Sequence, residues 1–125
     1  YVKKKKIIHE RYKKTINKII GLQISDVPNF ARCNYWLNIL EINKLLSKKK
    51  LLKIINYLRK NGIETKPIWH PNHLQKKYIN YQTYKLNKVN KISQQRLCLP
   101  SSSQLTKKQQ DFICSKLKNI QFFNS

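Results

Sequence analysis

The segment Asn34–Ile42, Asn-Tyr-Trp-Leu-Asn-Ile-Leu-Glu-Ile, constrains the fold more than any other stretch of the chain. Aromatic and branched residues suit an extended, pleated backbone. At a period of two, Tyr35, Leu37 and Ile39 fall on one face and Trp36, Leu40 and Ile42 on the other. Both faces are largely apolar, so this strand is expected to be covered on both sides. That requirement points to a layered fold in which helices pack on a sheet.

The helices are legible from spacing. Residues 3–20 place Ile8, Tyr12, Ile16, Ile19 and Ile20 three or four apart, with lysines on the other face and Gly21 as a stop. A second helix is predicted over 48–61, with Ser47 as N-cap, a stripe of Leu51, Leu52, Ile54, Ile55 and Leu58, and Gly62 closing it. A third, weaker helix is predicted from His73 or Leu74 to about Leu86, followed by a polar linker over 87–95. Thr106 opens the last helix, and Gln109 completes a capping box. Phe112, Ile113, Leu117 and Ile120 give that helix its apolar face. Short strands are expected at Leu22–Ile24, Ile63–Lys66 and Arg96–Leu99, the last ended by Pro100. The sum is a small α/β layer on a sheet of three strands or slightly more, with no internal repeat.

Charge and composition narrow the function. The 125 residues carry 27 Lys+Arg against 5 Asp+Glu, a formal charge of +22, while 40% hydrophobic residues can still supply a modest core. No stretch approaches the ~18 consecutive apolar residues of a membrane span. Ile7 and Ile8 are followed at once by His9, Glu10 and Arg11, so no signal-peptide core is present and a cytoplasmic protein is expected. The chain has no Met and begins with Tyr1, which suggests a piece of something longer. Lysines outnumber arginines 23 to 4, and Ile, Lys and Asn make 52 of the residues. These amino acids are favoured by A/T-rich codons, whereas nucleic-acid readers rely on the planar Arg fork. A free-standing basic module that binds nucleic acid therefore stands as the alternative, discounted by this bias. The runs Lys3–Lys6 and Lys48–Lys50 read as solvated faces. Tyr78, Tyr81 and Tyr84 beside Lys76, Lys77 and Lys85 read either as a base-stacking stripe or, more ordinarily, as the core side of a helix.

Site chemistry is sparse. Cys33, Cys98 and Cys114 are widely spaced, and His9, His70 and His73 complete no zinc pattern. No metal site is predicted, and the thiols are expected to be reduced. With only Gly21 and Gly62 there is no Gly-rich phosphate loop, and no carboxylates pair. Two stretches stand out. Gly62–Gln75 packs Pro67, Trp69, His70, Pro71 and His73 closely. Prolines pre-order a backbone, Trp offers a flat wall, and His offers a donor or acceptor near neutral pH. The segment suits a polar, ring-shaped ligand, or equally a rigid connector with its Trp in the core. Arg96–Thr106 leads from a strand through hydroxyl residues into a capped helix. It reads as turn chemistry before an anion site.

Gly62–Gln75 resembles the "GIE(T/S)RPLWKPMHLQ" signature of the DegT/DnrJ family of pyridoxal-phosphate-dependent sugar aminotransferases, in the subgroup making precursors of bacillosamine and legionaminic acid. Asn34-Tyr-Trp-Leu resembles the family's "N(R/Y)WL" strand, and Leu97–Thr106 its "LCLPSGSNLT". Arg11 and Tyr12 lie in a helix similar to the "RR…YY" helix that follows the large domain. The resemblance implies the small C-terminal domain of a fold-type-I transferase, with a short, mostly antiparallel sheet covered by helices. Residues 1–21 would be the linking helix from the large domain, and 22–125 the small domain. The intact enzyme, a homodimer, would move an amino group from an amino acid, typically glutamate, to a nucleotide-linked 4-keto-6-deoxy sugar. Its cofactor, pyridoxal 5'-phosphate, and the Schiff-base lysine would belong mainly to the other part. No catalytic residue is therefore assigned here, and this chain alone is expected to be inactive. His73, Trp69, Lys66 and Asn72 are carried over as walls of the sugar-nucleotide pocket. Lys66 stands where the family has Arg, His70 where it has Lys, Asn72 where Met is common and Ser102 where Gly is common.

Overall fold

The computed structural model describes residues 1–120, apart from the side chains of residues 87 and 90. The elements run α1 (Val2–Ile16), β1 (Leu22–Ile24), β2 (Asn38–Ile42), α2 (Lys48–Lys60), β3 (Lys66–Pro67), a 3-10 turn (Asn72–Leu74), α3 (Asn87–Ser93), β4 (Arg96–Leu99) and α4 (Lys107–Lys118). The four strands form one sheet in the order β1-β2-β4-β3, antiparallel throughout. Register places Leu22 opposite Ile42, Ile24 opposite Leu40, and Leu40 opposite Leu97. These residues alternate onto a single buried face.

Ile8, Tyr12 and Ile16 of α1 join that face, as do Leu51, Ile54, Ile55 and Leu58 of α2 and Ile113, Cys114 and Leu117 of α4. They make one core. The starts of α2 and α4 are set as their sequences predict. Ser47 Oγ accepts from the Lys50 N–H (3.2 Å), and Thr106 and Gln109 form a reciprocal capping box. Gly21 and Gly62 both take left-handed backbone (φ +79° and +73°), which a side chain would strain.

Several expectations are corrected. β2 begins at Asn38, not Asn34, because Asn34 Oδ1 accepts the Trp36 N–H (3.0 Å) and Tyr35 turns left-handed (φ +54°). Its second face is only half covered: Ile39 and Glu41 are half-buried. α1 ends at Ile16, where Asn17 turns its side chain to accept the Ile24 N–H (2.9 Å). The strand expected at 63–66 is found only at Lys66–Pro67, the Ile63 N–H being spent on the Leu58 carbonyl (2.9 Å) at the end of α2. No helix spans 73–86. Turns follow the 3-10 turn, and Tyr78, Tyr81 and Tyr84 are exposed rather than core-facing. The supposed linker instead holds α3. Leu52 and Phe112 lie about half-exposed, at the edges of their helices' apolar stripes.

Candidate functional site

The three stretches that stand out in the sequence meet in space. Lys66 pairs with Cys98 and Pro67 with Leu97 across β3 and β4, joining the Gly62–Gln75 segment to the Arg96–Thr106 segment. Asn38 pairs with Leu99, and Ser101 Oγ accepts from both the Asn38 N–H (2.9 Å) and Asn38 Nδ2 (3.0 Å). That joins the Asn34–Leu37 strap to the same place. Trp36 of the strap and Trp69 of the 62–75 segment lie with ring centroids 6.0 Å apart, tilted by 40°. Both rings are largely exposed, at 62% and 64%. Tryptophan left in water at that level, next to a second one, presents a flat apolar surface.

The predicted residues lie along this exposed ribbon. Lys66 sits on the edge strand and pairs with Glu64 (3.1 Å), an exposed pair of little energetic weight. Trp69 packs against Trp36 and so is not buried in the core as a plain connector would have it. Asn72 and His73 share the 3-10 turn, Asn72 exposed and His73 half-buried. Gln75 Nε2 staples that turn, donating to Asn72 Oδ1 (3.0 Å) and the His70 carbonyl (3.3 Å). The turn thus brings Asn72 and His73 together, while Lys66 is held at the sheet edge. At the start of α4, Thr106 and Gln109 satisfy each other's backbone N–H groups, in keeping with turn chemistry.

Sequence reasoning passed over the layer beneath the ribbon. Lys5 Nζ donates to the carbonyls of Trp36 (3.3 Å) and Ser101 (2.6 Å). His9 Nδ1 lies 3.0 Å from Asn38 Oδ1, and the Tyr12 hydroxyl donates to the Pro100 carbonyl (3.1 Å). The spacing of Lys5, His9 and Tyr12 on one side of α1 is the signal that could have found them.

The electrostatics are mild. On the open face, burial pushes the Glu41 carboxyl up, but hydrogen bonds from Ser25 and Gln23 and the Arg96 guanidinium (2.6 Å) outweigh it and hold it below its ordinary value. Burial raises the Cys98 thiol and pushes Cys114 up to about 11, so neither is a ready thiolate. Among the described residues no three His, Cys, Asp or Glu cluster to hold a metal. No helix of the described residues is long and apolar enough to cross a membrane.

Pyridoxal phosphate needs a lysine enclosed beside its ring. Every lysine of this chain is exposed or half-exposed, so the residues present do not fit the cofactor by themselves.

The four-stranded antiparallel sheet backed by helices is a fold found within part of solved aminotransferase structures. The fold matches the crystal structure of the aminotransferase TlmJ from Streptoalloteichus hindustanus with a TM-score of 0.81, at 18% identity, over 99% of this chain and 32% of that one. It matches DesI, crystallised with its TDP-sugar product, at 0.78 and 15% identity, over 94% and 30%. In sequence it is 26% identical to EpsN of Bacillus subtilis (strain 168), provisionally named a pyridoxal phosphate-dependent aminotransferase, over 95% of this chain and 31% of that protein. The chain belongs to the DegT/DnrJ/EryC1/StrS aminotransferase family, whose model matches residues 1–118. It spans about a third of the length of these relatives.

Proposed function

We propose that this chain is the substrate-closing small domain of a pyridoxal-phosphate-dependent sugar aminotransferase. Residues 1–21 lead in from the large domain, and 22–125 form the small one. In the intact enzyme, a cytoplasmic homodimer, an amino acid such as glutamate supplies the amino group. The acceptor is the keto carbon of a nucleotide-linked 4-keto-6-deoxy sugar. The observation that carries this reading is the convergence of the three family-like stretches at the Trp36–Trp69 pair. DesI, which shares the fold, was crystallised with a TDP-sugar product. The wall of the pocket is Lys66, Trp69, Asn72 and His73. Trp69 gives a flat face, Asn72 and His73 give polar atoms on a stapled turn, and Lys66 gives a positive charge for an anionic diphosphate.

The test is His73→Ala in the full-length enzyme. Activity on the nucleotide keto-sugar is expected to fall while the cofactor stays bound, as its absorbance reports. Unchanged kcat/KM removes His73 from the pocket. A longer reading frame without a cofactor-binding domain upstream would sink the whole reading.

A second reading has one observation in its favour. Tyr81 and Tyr84 are 70% and 76% exposed, and Lys77 and Lys85 lie over the Tyr78 and Tyr84 rings at 5.8 and 5.0 Å. Stacking rings among cations can hold single-stranded nucleic acid. Binding that is tight at low salt and collapses as salt rises would support it.

A further inference from the structure

The polarity of the hydrogen bonds around Asn38 can be followed atom by atom. Ser101 has one hydroxyl proton, and it goes to the Leu99 carbonyl (2.9 Å). Its lone pairs accept from the Asn38 N–H and Asn38 Nδ2. Asn38 Oδ1 must then face the other way, toward His9 Nδ1 at 3.0 Å, and an amide oxygen only accepts. His9 therefore carries a proton on Nδ1. Its Nε2 is buried, with no hydrogen-bond partner among the described residues. His9 is 3% exposed and Asn38 1%. A buried ring with one nitrogen unpaired costs stability that an apolar residue would not.

The relay sits beneath a strained strap. Lys5, one helical turn before His9, donates to the Trp36 and Ser101 carbonyls. Just before the Trp36 anchor, Tyr35 is held at φ +54°, its ring 5.0 Å from the His9 ring. A bulky residue at positive φ persists only where its surroundings over-determine it. The next residue, Trp36, meets Trp69.

We propose that His9 is a positioning residue. Through its Nδ1–H to Asn38 and its contact with Tyr35, it fixes the strap and so sets Trp36 against Trp69. The placement of α1 is thereby passed to the 62–75 segment. The consequence for substrate rests on the reading of Trp69 as pocket wall; the positioning itself does not.

Trp36 and Trp69 are the two tryptophans of these 125 residues, so the part of the indole exciton couplet in circular dichroism that Trp36→Phe removes reports this pair. Trp36→Phe should remove that part and so identify it. His9→Leu should lose it with cooperative thermal unfolding retained. His9→Asn, whose amide nitrogen stands where Nδ1 stood, should restore it. A merely structural histidine would lower the melting temperature and leave the couplet alone. Should His9→Leu fail to fold, His9→Phe, which keeps a ring beside Tyr35 and removes the Nδ1–H, should reduce the couplet. An intact couplet in folded His9→Leu, or in His9→Phe where His9→Leu does not fold, overturns the proposal. Failure of His9→Asn to restore it overturns Nδ1–H as the cause. In the full-length enzyme His9→Leu should raise KM for the nucleotide sugar more than it lowers kcat. Loss of the couplet with KM unmoved leaves the positioning standing and removes Trp69 from the pocket. A retained couplet removes the positioning, whatever Trp69→Ala does to KM.

Discussion

On the helix-facing side of the sheet, Leu22, Ile24, Leu40, Ile42, Leu97 and Leu99 are each at most 3% exposed. On the other side Gln23 and Lys66 are exposed, and Ile39, Glu41, Arg96 and Cys98 are half-buried. The same strands supply both sides, so backbone pairing cannot account for the difference. One side gains free energy from apolar area taken out of water. The other carries the Glu41–Arg96 ion pair and stays partly open to water. Stability is thus drawn mainly from one face, and substitutions should show it.

The largest effect is expected on the helix side. Leu40, Leu58 and Leu97 have no exposure at all. Truncation of Leu58 to Ala removes buried methyl groups and leaves a cavity, so a loss of about 2–5 kcal/mol is expected in a denaturant titration. Trp69→Ala, a much larger deletion at an exposed position, should cost less than about 1 kcal/mol, since mostly exposed positions contribute little beyond an aromatic contact. Equal losses would mean that the open ribbon is part of the folding core and that the division fails.

A smaller effect tests the helix ends. Thr106→Ala removes the oxygen that accepts from the Gln109 N–H (3.2 Å) and breaks the capping box. A loss of about 1 kcal/mol is expected. Unchanged stability would show that α4 is held by Ile113 and Leu117 alone.

These elements were legible because each has a local cause. The spacing of Leu51, Ile55 and Leu58, the Ser47 and Thr106 caps and the stop at Gly62 act within a few residues, and sequence displays them. The exposed segments are less legible. Tyr78, Tyr81 and Tyr84 fall at near-helical spacing, yet no helix forms there, and a pattern count cannot see that the rings have no core to face. The sequence pattern places the start of β2 four residues too early, because the apolar run Tyr35-Trp36-Leu37 looks like strand while the Asn34 turn and the left-handed Tyr35 break it. For the site, the residues on the ribbon were visible as motifs. Lys5, His9, Asn38 and Ser101 were not, since their roles exist only once α1, β2 and β4 are brought together over long sequence separations.

The smallest effect lies within the open face and concerns pH. Glu41 is held below its ordinary carboxylate value of 4.5 in the folded chain. A depressed folded value stabilises the fold fully above the unfolded pKa, and that contribution is lost as pH falls through the folded one. Acid should therefore erode stability below about pH 4.5, and Glu41→Gln should flatten that limb while leaving stability near neutral pH lower by under about 1 kcal/mol. Asp26, also depressed by its hydrogen bond from Lys13, is exposed and should contribute far less to the same limb. If Glu41→Gln leaves the acid limb unchanged, the Glu41–Arg96 pair does not tie β2 to β4 in solution. The open face would then be held only through the helix-facing side of the same strands.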